Sequence, residues 1–205
     1  MHWLRFGPRR LGLLLASALL LMGAAGCAAA PSSASKRVDP PASFPDFSLV
    51  AAQGQAFRLS ELKGNVVVVY VGYTHCPDIC PLMMGNLAAA RRLLPESLKD
   101  DVKVVMITAD PARDTPELVT QYVHHFDPTF IGVSGSTEQV LTALRQWGIS
   151  PECGIRNADG GYTVSHPTTS YVLNREGLLR LQVPLGLEPA AIARDLKSVA
   201  KEGKR

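Results

Sequence analysis

The chain has 205 residues, 46% of them hydrophobic and 19% charged, with four cysteines and a formal net charge of +3. That length suits one domain of roughly 150 residues with added segments, and the composition is too apolar for disorder and too poor in cysteine for a disulfide scaffold. Arg5, Arg9 and Arg10 supply the whole surplus: beyond residue 26, 18 basic side chains stand against 18 acidic ones, so the phosphate-neutralising excess of a nucleic-acid binder is missing.

Residues 1–26 have the layout of a signal peptide: a short basic start, an apolar run of 12 residues from Leu11 to Met22, then small residues. A membrane-spanning helix needs about 20 apolar residues, so this run is short for a span. Ala24-Ala25-Gly26-Cys27 resembles a bacterial lipoprotein cleavage box, with Ala24 where Leu is usual. Cleavage there leaves Cys27 as an acylated N-terminal residue and a lipid anchor. Cleavage near Ala30, or an uncleaved anchor with an inert Cys27, are the alternatives. On each of these readings the folded part is extracytoplasmic. Residues 27–45, rich in Ala, Ser and Pro without a periodic apolar face, are expected to be a flexible tether. One domain follows, over 46–205.

Within it, Phe47-Ser48-Leu49 and Ala56-Phe57-Arg58-Leu59 read as an added N-terminal hairpin. Val66–Tyr73 and Val102–Thr108 are β-branched runs of the kind found in strands buried on both faces, and Thr129–Val133 is a weaker third. Pro81–Leu94 suits a helix with Pro in its first turn. Thr115-Pro116-Glu117 is a helix start, and Ser136-Thr137-Glu138-Gln139 a capping box for a helix through Trp147. A hairpin, Ser170–Asn174 and Leu178–Val183, and a helix from about Glu188 to Ala200 complete the chain. This order predicts an α/β, thioredoxin-like fold: a mixed central sheet with helices on both faces and the extra hairpin.

The most informative stretch is Thr74-His75-Cys76-Pro77-Asp78-Ile79-Cys80-Pro81, between the first buried strand and the helix after it. Sites in doubly wound sheets form beyond the carboxyl ends of strands. A helix N-terminus there favours thiolate over thiol. If the first turn is helical, Cys76 and Cys80 lie on one face, able to serve as two ligands or to form a disulfide when no ion is present. His166, just before the Ser170 strand, is the third candidate. Two thiolates and an imidazole suit Cu(I) and can hold Cu(II), whereas Mg²⁺ and Ca²⁺ want oxygen. Zn²⁺ would need a fourth ligand from Cys153, His75 or Asp78. A purely structural disulfide competes, but a staple gains little from closing so short a loop. Met83 or Met84, if exposed, could help pass copper; His124 and His125 are expected to be solvated.

Taken together, Val69-Tyr70-Val71-Gly72-Tyr73-Thr74-His75-Cys76-Pro77-Asp78-Ile79-Cys80-Pro81, Asp110-Pro111-Ala112-Arg113-Asp114-Thr115-Pro116-Glu117, and His166 five residues before Tyr171 resemble the SCO/SenC family of thioredoxin-fold copper proteins of cytochrome c oxidase assembly. The resemblance covers about Phe47 to Ala200. It implies that Cys76, Cys80 and His166 bind one copper, Cu(I) or Cu(II), and that Asp110 is a neighbouring or docking residue. It also implies a metal carrier rather than an enzyme, delivering copper to the dinuclear site of an oxidase subunit. In an oxidising compartment Cys76 and Cys80 would pair as a disulfide, so a thioredoxin-like reductant is an expected partner, with another copper chaperone as a further one. The alternative is a thiol–disulfide oxidoreductase that reduces the cysteines of the same target. Pro167-Thr168-Thr169 favours that alternative, being similar to the proline loop that faces the cysteines in thioredoxins. Pro167 also forces His166 into extended backbone.

Overall fold

The computed structural model of the chain is described over residues 35–156 and 160–202. The expected signal peptide of residues 1–26, its Cys27 and the first part of the tether lie outside those residues. In chain order the elements are β1 (Lys36–Ala42), β2 (Ser48–Val50), β3 (Ala56–Arg58), β4 (Val66–Gly72), α1 (Ile79–Arg92), α2 (Glu96–Lys99), β5 (Val102–Thr108), α3 (Pro116–His124), β6 (Ile131–Val133), α4 (Thr137–Arg145), β7 (Ser170–Leu173), β8 (Leu179–Val183) and α5 (Pro189–Lys201).

Six strands form one sheet in the order β1-β8-β7-β4-β5-β6, and β2 and β3 form the small hairpin expected near the N-terminus. β4 pairs in parallel with β5 and antiparallel with β7, so the sheet is mixed. Every residue of β4 is buried, which requires cover on both faces and explains its unbroken run of valines. α1 packs on α5, while α3 lies against β5 and β6. This is the thioredoxin-like α/β arrangement read from the sequence. Among the described residues no helix is long and apolar enough to cross a membrane.

Capping explains the helix starts. The Thr115 side chain accepts from the Leu118 amide, with Pro116 at the first helical position. Ser136 and Gln139 form the reciprocal capping box. That helix ends at Arg145 rather than Trp147, and α1 begins at Ile79, two residues before the expected Pro81.

Within the segment 27–45 expected to be a tether, Lys36–Ala42 is instead a strand. β1 adds to the sheet edge by pairing with β8, Lys36 opposite Gln182 and Arg37 opposite Leu181. Two prolines fit there because an edge strand can spare N–H groups. Polar contacts hold it: Arg180 donates to the Val38 carbonyl at 2.7 Å and to Asp39 at 3.2 Å, and its Nε bonds Glu202. Val38 is the lone large apolar residue among KRVDPPA, which left the sequence without a strand signal.

α3 and β6 meet with no room to spare. A Cβ on Gly132 would lie 2.5 Å from the Thr120 amide nitrogen, whereas one on Gly85, within α1, would meet nothing within 4 Å. Gly132→Ala is therefore expected to destabilise the protein by about 2 kcal/mol. Gly85→Ala is expected to stabilise it by about 0.5–1 kcal/mol through unfolded-chain entropy and helix propensity. Urea denaturation followed by far-UV circular dichroism reads both; an unchanged midpoint for Gly132→Ala would contradict this packing.

Candidate metal centre

The cysteine-bearing segment leaves the sheet at Gly72 and enters α1 at Ile79. Cys76 therefore sits in the turn ahead of the helix, its amide donating to the Tyr73 carbonyl at 3.3 Å, and Cys80 alone lies within the first helical turn. The thiols converge all the same. Cys76 Sγ, Cys80 Sγ and a ring nitrogen of His166 lie within 4.8 Å of one another, and His166 Nε2 is 3.4 Å from Cys80 Sγ. Both cysteines are buried free thiols, and His166 is half-buried.

His166 arrives from the segment before β7, which the antiparallel pairing of β4 and β7 brings beside the end of β4. Its Nδ1 lies 3.0 Å from the Pro167 carbonyl and donates to it, which directs the Nε2 lone pair toward the sulfurs. Burial lowers the imidazole's pKa, against the opposing pull of the Pro167 and Val71 carbonyls, which favours the neutral ring, its Nε2 within reach of the Cys80 sulfur. Among the described residues the cis peptide bond is Asp39-Pro40, so His166-Pro167 is trans. Tyr70 and Tyr73 stand edge-on to the imidazole, with ring centroids at 6.1 and 5.6 Å.

Burial opposes the thiolate expected from the helix start. It pushes the Cys80 thiol up to about 12, more than the Tyr70 hydroxyl, 3.5 Å from Cys80 Sγ, pulls it down. Burial also raises the Tyr70 pKa far above the ordinary phenol range, so the hydroxyl keeps its proton to donate. A cation soft enough to bind sulfur would replace the Cys80 proton. Two sulfurs and one imidazole nitrogen, desolvated on one side and already turned inward, fit a copper ion by the chemistry of the donor set.

The remaining sequence candidates fall elsewhere. His75 is exposed, its Nδ1 3.0 Å from Thr74 Oγ1; Asp78 and Cys153 are exposed, and Cys153 bridges Val164. None joins the three-residue cluster, so no fourth side chain completes a tetrahedral zinc site among the described residues. Met83 and Met84 are buried in the core, which removes the exposed thioether, and His124 and His125 are exposed. Asp110 is buried, not on a docking surface: it accepts from the Tyr162 hydroxyl at 2.9 Å and from Arg113 Nε. Tyr70, whose hydroxyl reaches Cys80 Sγ, also belongs to the site, and nothing in the sequence marks it except that it stands in the first motif.

The family model described as SCO1/SenC matches residues 36–201. The mouse mitochondrial protein SCO2 homolog is 40% identical over 134 residues, 65% of this chain and 52% of its own length, so the chain spans about half of that curated relative. The solution structure of apo Sco1 from Thermus thermophilus is 34% identical, with a TM-score of 0.72 over 80% of this chain and 95% of that one. The structure of Bradyrhizobium japonicum ScoI with copper bound is 30% identical, with a TM-score of 0.69 over 76% of this chain and 98% of that one.

Exposure and burial order the three thiols of the described residues. With the protein reduced, iodoacetamide is expected to modify exposed Cys153 first, then Cys76, with Cys80 slower than Cys76 by about tenfold or more. Peptide mapping by mass spectrometry checks this, and equal rates for Cys76 and Cys80 would contradict the burial of the second thiol.

Proposed function

The chain belongs to the SCO1/SenC family, and on that premise we propose that it binds one copper ion through Cys76, Cys80 and His166 and delivers it to the dinuclear copper site of a cytochrome c oxidase subunit. Copper is the cargo, and the protein a carrier. The observation that carries this reading is the convergence of two thiols and one imidazole nitrogen within 4.8 Å, the ring's other nitrogen tied to a backbone carbonyl. The copper-bound relative from Bradyrhizobium japonicum supports the same ion.

In this reading the residues act as follows. Cys76 and Cys80 give up their protons to become ligands, and Tyr70 donates toward the Cys80 sulfur. Half-buried His166, neutral and oriented by Pro167, closes the set on its open side. Trp147, Ser165, Pro167 and Tyr171 line a shallow groove beside it, through which a partner can approach. When the two cysteines are oxidised to a disulfide they offer no thiolate; a thioredoxin-like dithiol would restore both by passing on two electrons and two protons.

An acylated Cys27 would hold the domain at the outer face of the membrane, near an embedded oxidase, and raise its effective concentration there. Cys27→Ala is expected to abolish incorporation of radiolabelled palmitate into the protein, as read by immunoprecipitation; a wild-type chain that takes up no label would count against the lipid anchor.

For the metal, the reduced protein is expected to take up one equivalent of copper. His166→Ala is expected to weaken retention against a competing chelator by about 100-fold and to alter the Cu(II)–thiolate absorption. A His166→Ala protein that holds copper like the wild type, yet loses the ability to reduce a disulfide in a target peptide, would replace the carrier reading with the oxidoreductase one.

A further inference from the structure

Neither arm of the centre is fixed by the sheet. Cys76 lies four residues beyond the end of β4, and His166 four residues before the start of β7. Something outside the ladder must set their separation. We infer that the turn Asp110–Asp114 is a bracket, in which Asp114 holds the cysteine arm and Asp110 holds the histidine arm at a common distance; the inference rests on the copper-site reading above.

The cysteine arm is held at Thr74, two residues before Cys76. Asp114, fully buried, accepts from the Thr74 amide at 2.9 Å and from the Thr74 hydroxyl at 2.6 Å. The same carboxylate accepts from Thr108, the last residue of β5, at 2.7 Å. Its own carbonyl accepts from the Ser134 hydroxyl at 2.6 Å, just beyond β6. The ends of two strands thus position one carboxylate, and it positions the turn that carries Cys76.

The histidine arm is held at Tyr162, four residues before His166. Asp110 accepts from its hydroxyl at 2.9 Å, and Arg113 donates to its carbonyl at 3.0 Å while lying 3.5 Å over its ring. Arg113 also pairs with Asp110, which closes the clamp. Tyr162 transmits its position because the segment around it is tied to itself: Gly154 donates to Thr163 at 2.8 Å, Ser165 to Glu152 at 2.8 Å, and Cys153 bridges Val164. The two carboxylates share one turn, with the Asp114 amide donating to the Asp110 carbonyl at 2.9 Å. Each arm is therefore referred, by its own carboxylate, to the same fixed turn.

Simple stabilisation by buried polar groups would make both arms fail together. A bracket makes them separable. Tyr162→Phe keeps the ring and removes the hydroxyl; Thr74→Val keeps the amide and removes the other hydroxyl. Tyr162→Phe is expected to weaken Cu(I) binding about tenfold against a chromophoric chelator, to speed amide exchange over 152–165, and to leave the Cys76/Cys80 reduction equilibrium with glutathione unchanged. Thr74→Val is expected to shift that equilibrium and weaken Cu(I), with exchange over 152–165 unchanged. Wild-type behaviour of Tyr162→Phe in both copper and exchange overturns the bracket. So does loss of copper, redox and thermal stability in parallel for both variants. If the wild-type protein takes up no copper, the site reading fails, while the exchange and glutathione arms still decide the bracket.

Discussion

The structure turns on a desolvated sulfur. Cys80 sits at the foot of α1, with no exposed surface, against Tyr70 of a fully buried strand. An isolated thiolate there would lose its hydration without gaining an opposite charge, which is why the thiol is pushed up to about 12. A bound soft cation removes that penalty, and a hard one does so poorly because it prefers oxygen. The fold thus converts burial, ordinarily a reason for a cysteine to be inert, into a preference for a partner. His166 completes the arrangement by being neutral and by having one nitrogen already committed to Pro167.

Space around that sulfur is set by what is missing at Gly72. A Cβ there would lie 2.8 Å from Cys80 Sγ and 2.8 Å from the Tyr70 ring. The last residue of β4 is small because a strand, a tyrosine and a helix start crowd one point, with Met106 of β5 behind them. Tight packing of this kind leaves the sulfur with few rotamers, and the direction in which it faces follows from the core. The chain's longest buried run and its candidate centre are, in that sense, one construction.

Much of this was legible from residue types and spacing. The valine run of β4, the Thr115 and Ser136 caps and the closing hairpin announce themselves because each depends on local chemistry: β-branching, a hydroxyl at an N-cap, a turn. Cys76 and Cys80 were visible as a pair, and His166 through the matching motif. What stayed hidden depends on pairing over distance. β1 is held by Arg180 and by backbone bonds to β8, which leave no apolar pattern in KRVDPPA. Asp114 and Tyr162 acquire their partners 40 and 52 residues away. The thiolate expected at Cys80 gave way for a related reason: a sequence displays the helix start but not the depth of burial, and burial prevails.

The edge strand bears on how such a carrier would present its metal. Lys36 pairs with Gln182, Gln182 with Tyr171, and Tyr171 with Val69, so all four share one row across the sheet. Val69 is three residues from Gly72, where the cysteine segment departs, and β1 runs away from that row toward Val67. The chain therefore enters the sheet level with the midpoint of β4 and runs away from the end where the thiols and imidazole converge, three strand spacings, or about 14 Å, to the side. With Cys27 acylated as proposed, the nine residues to Lys36 reach at most about 30 Å when fully extended. The polar clamp of Arg180 on β1 fixes that entry point.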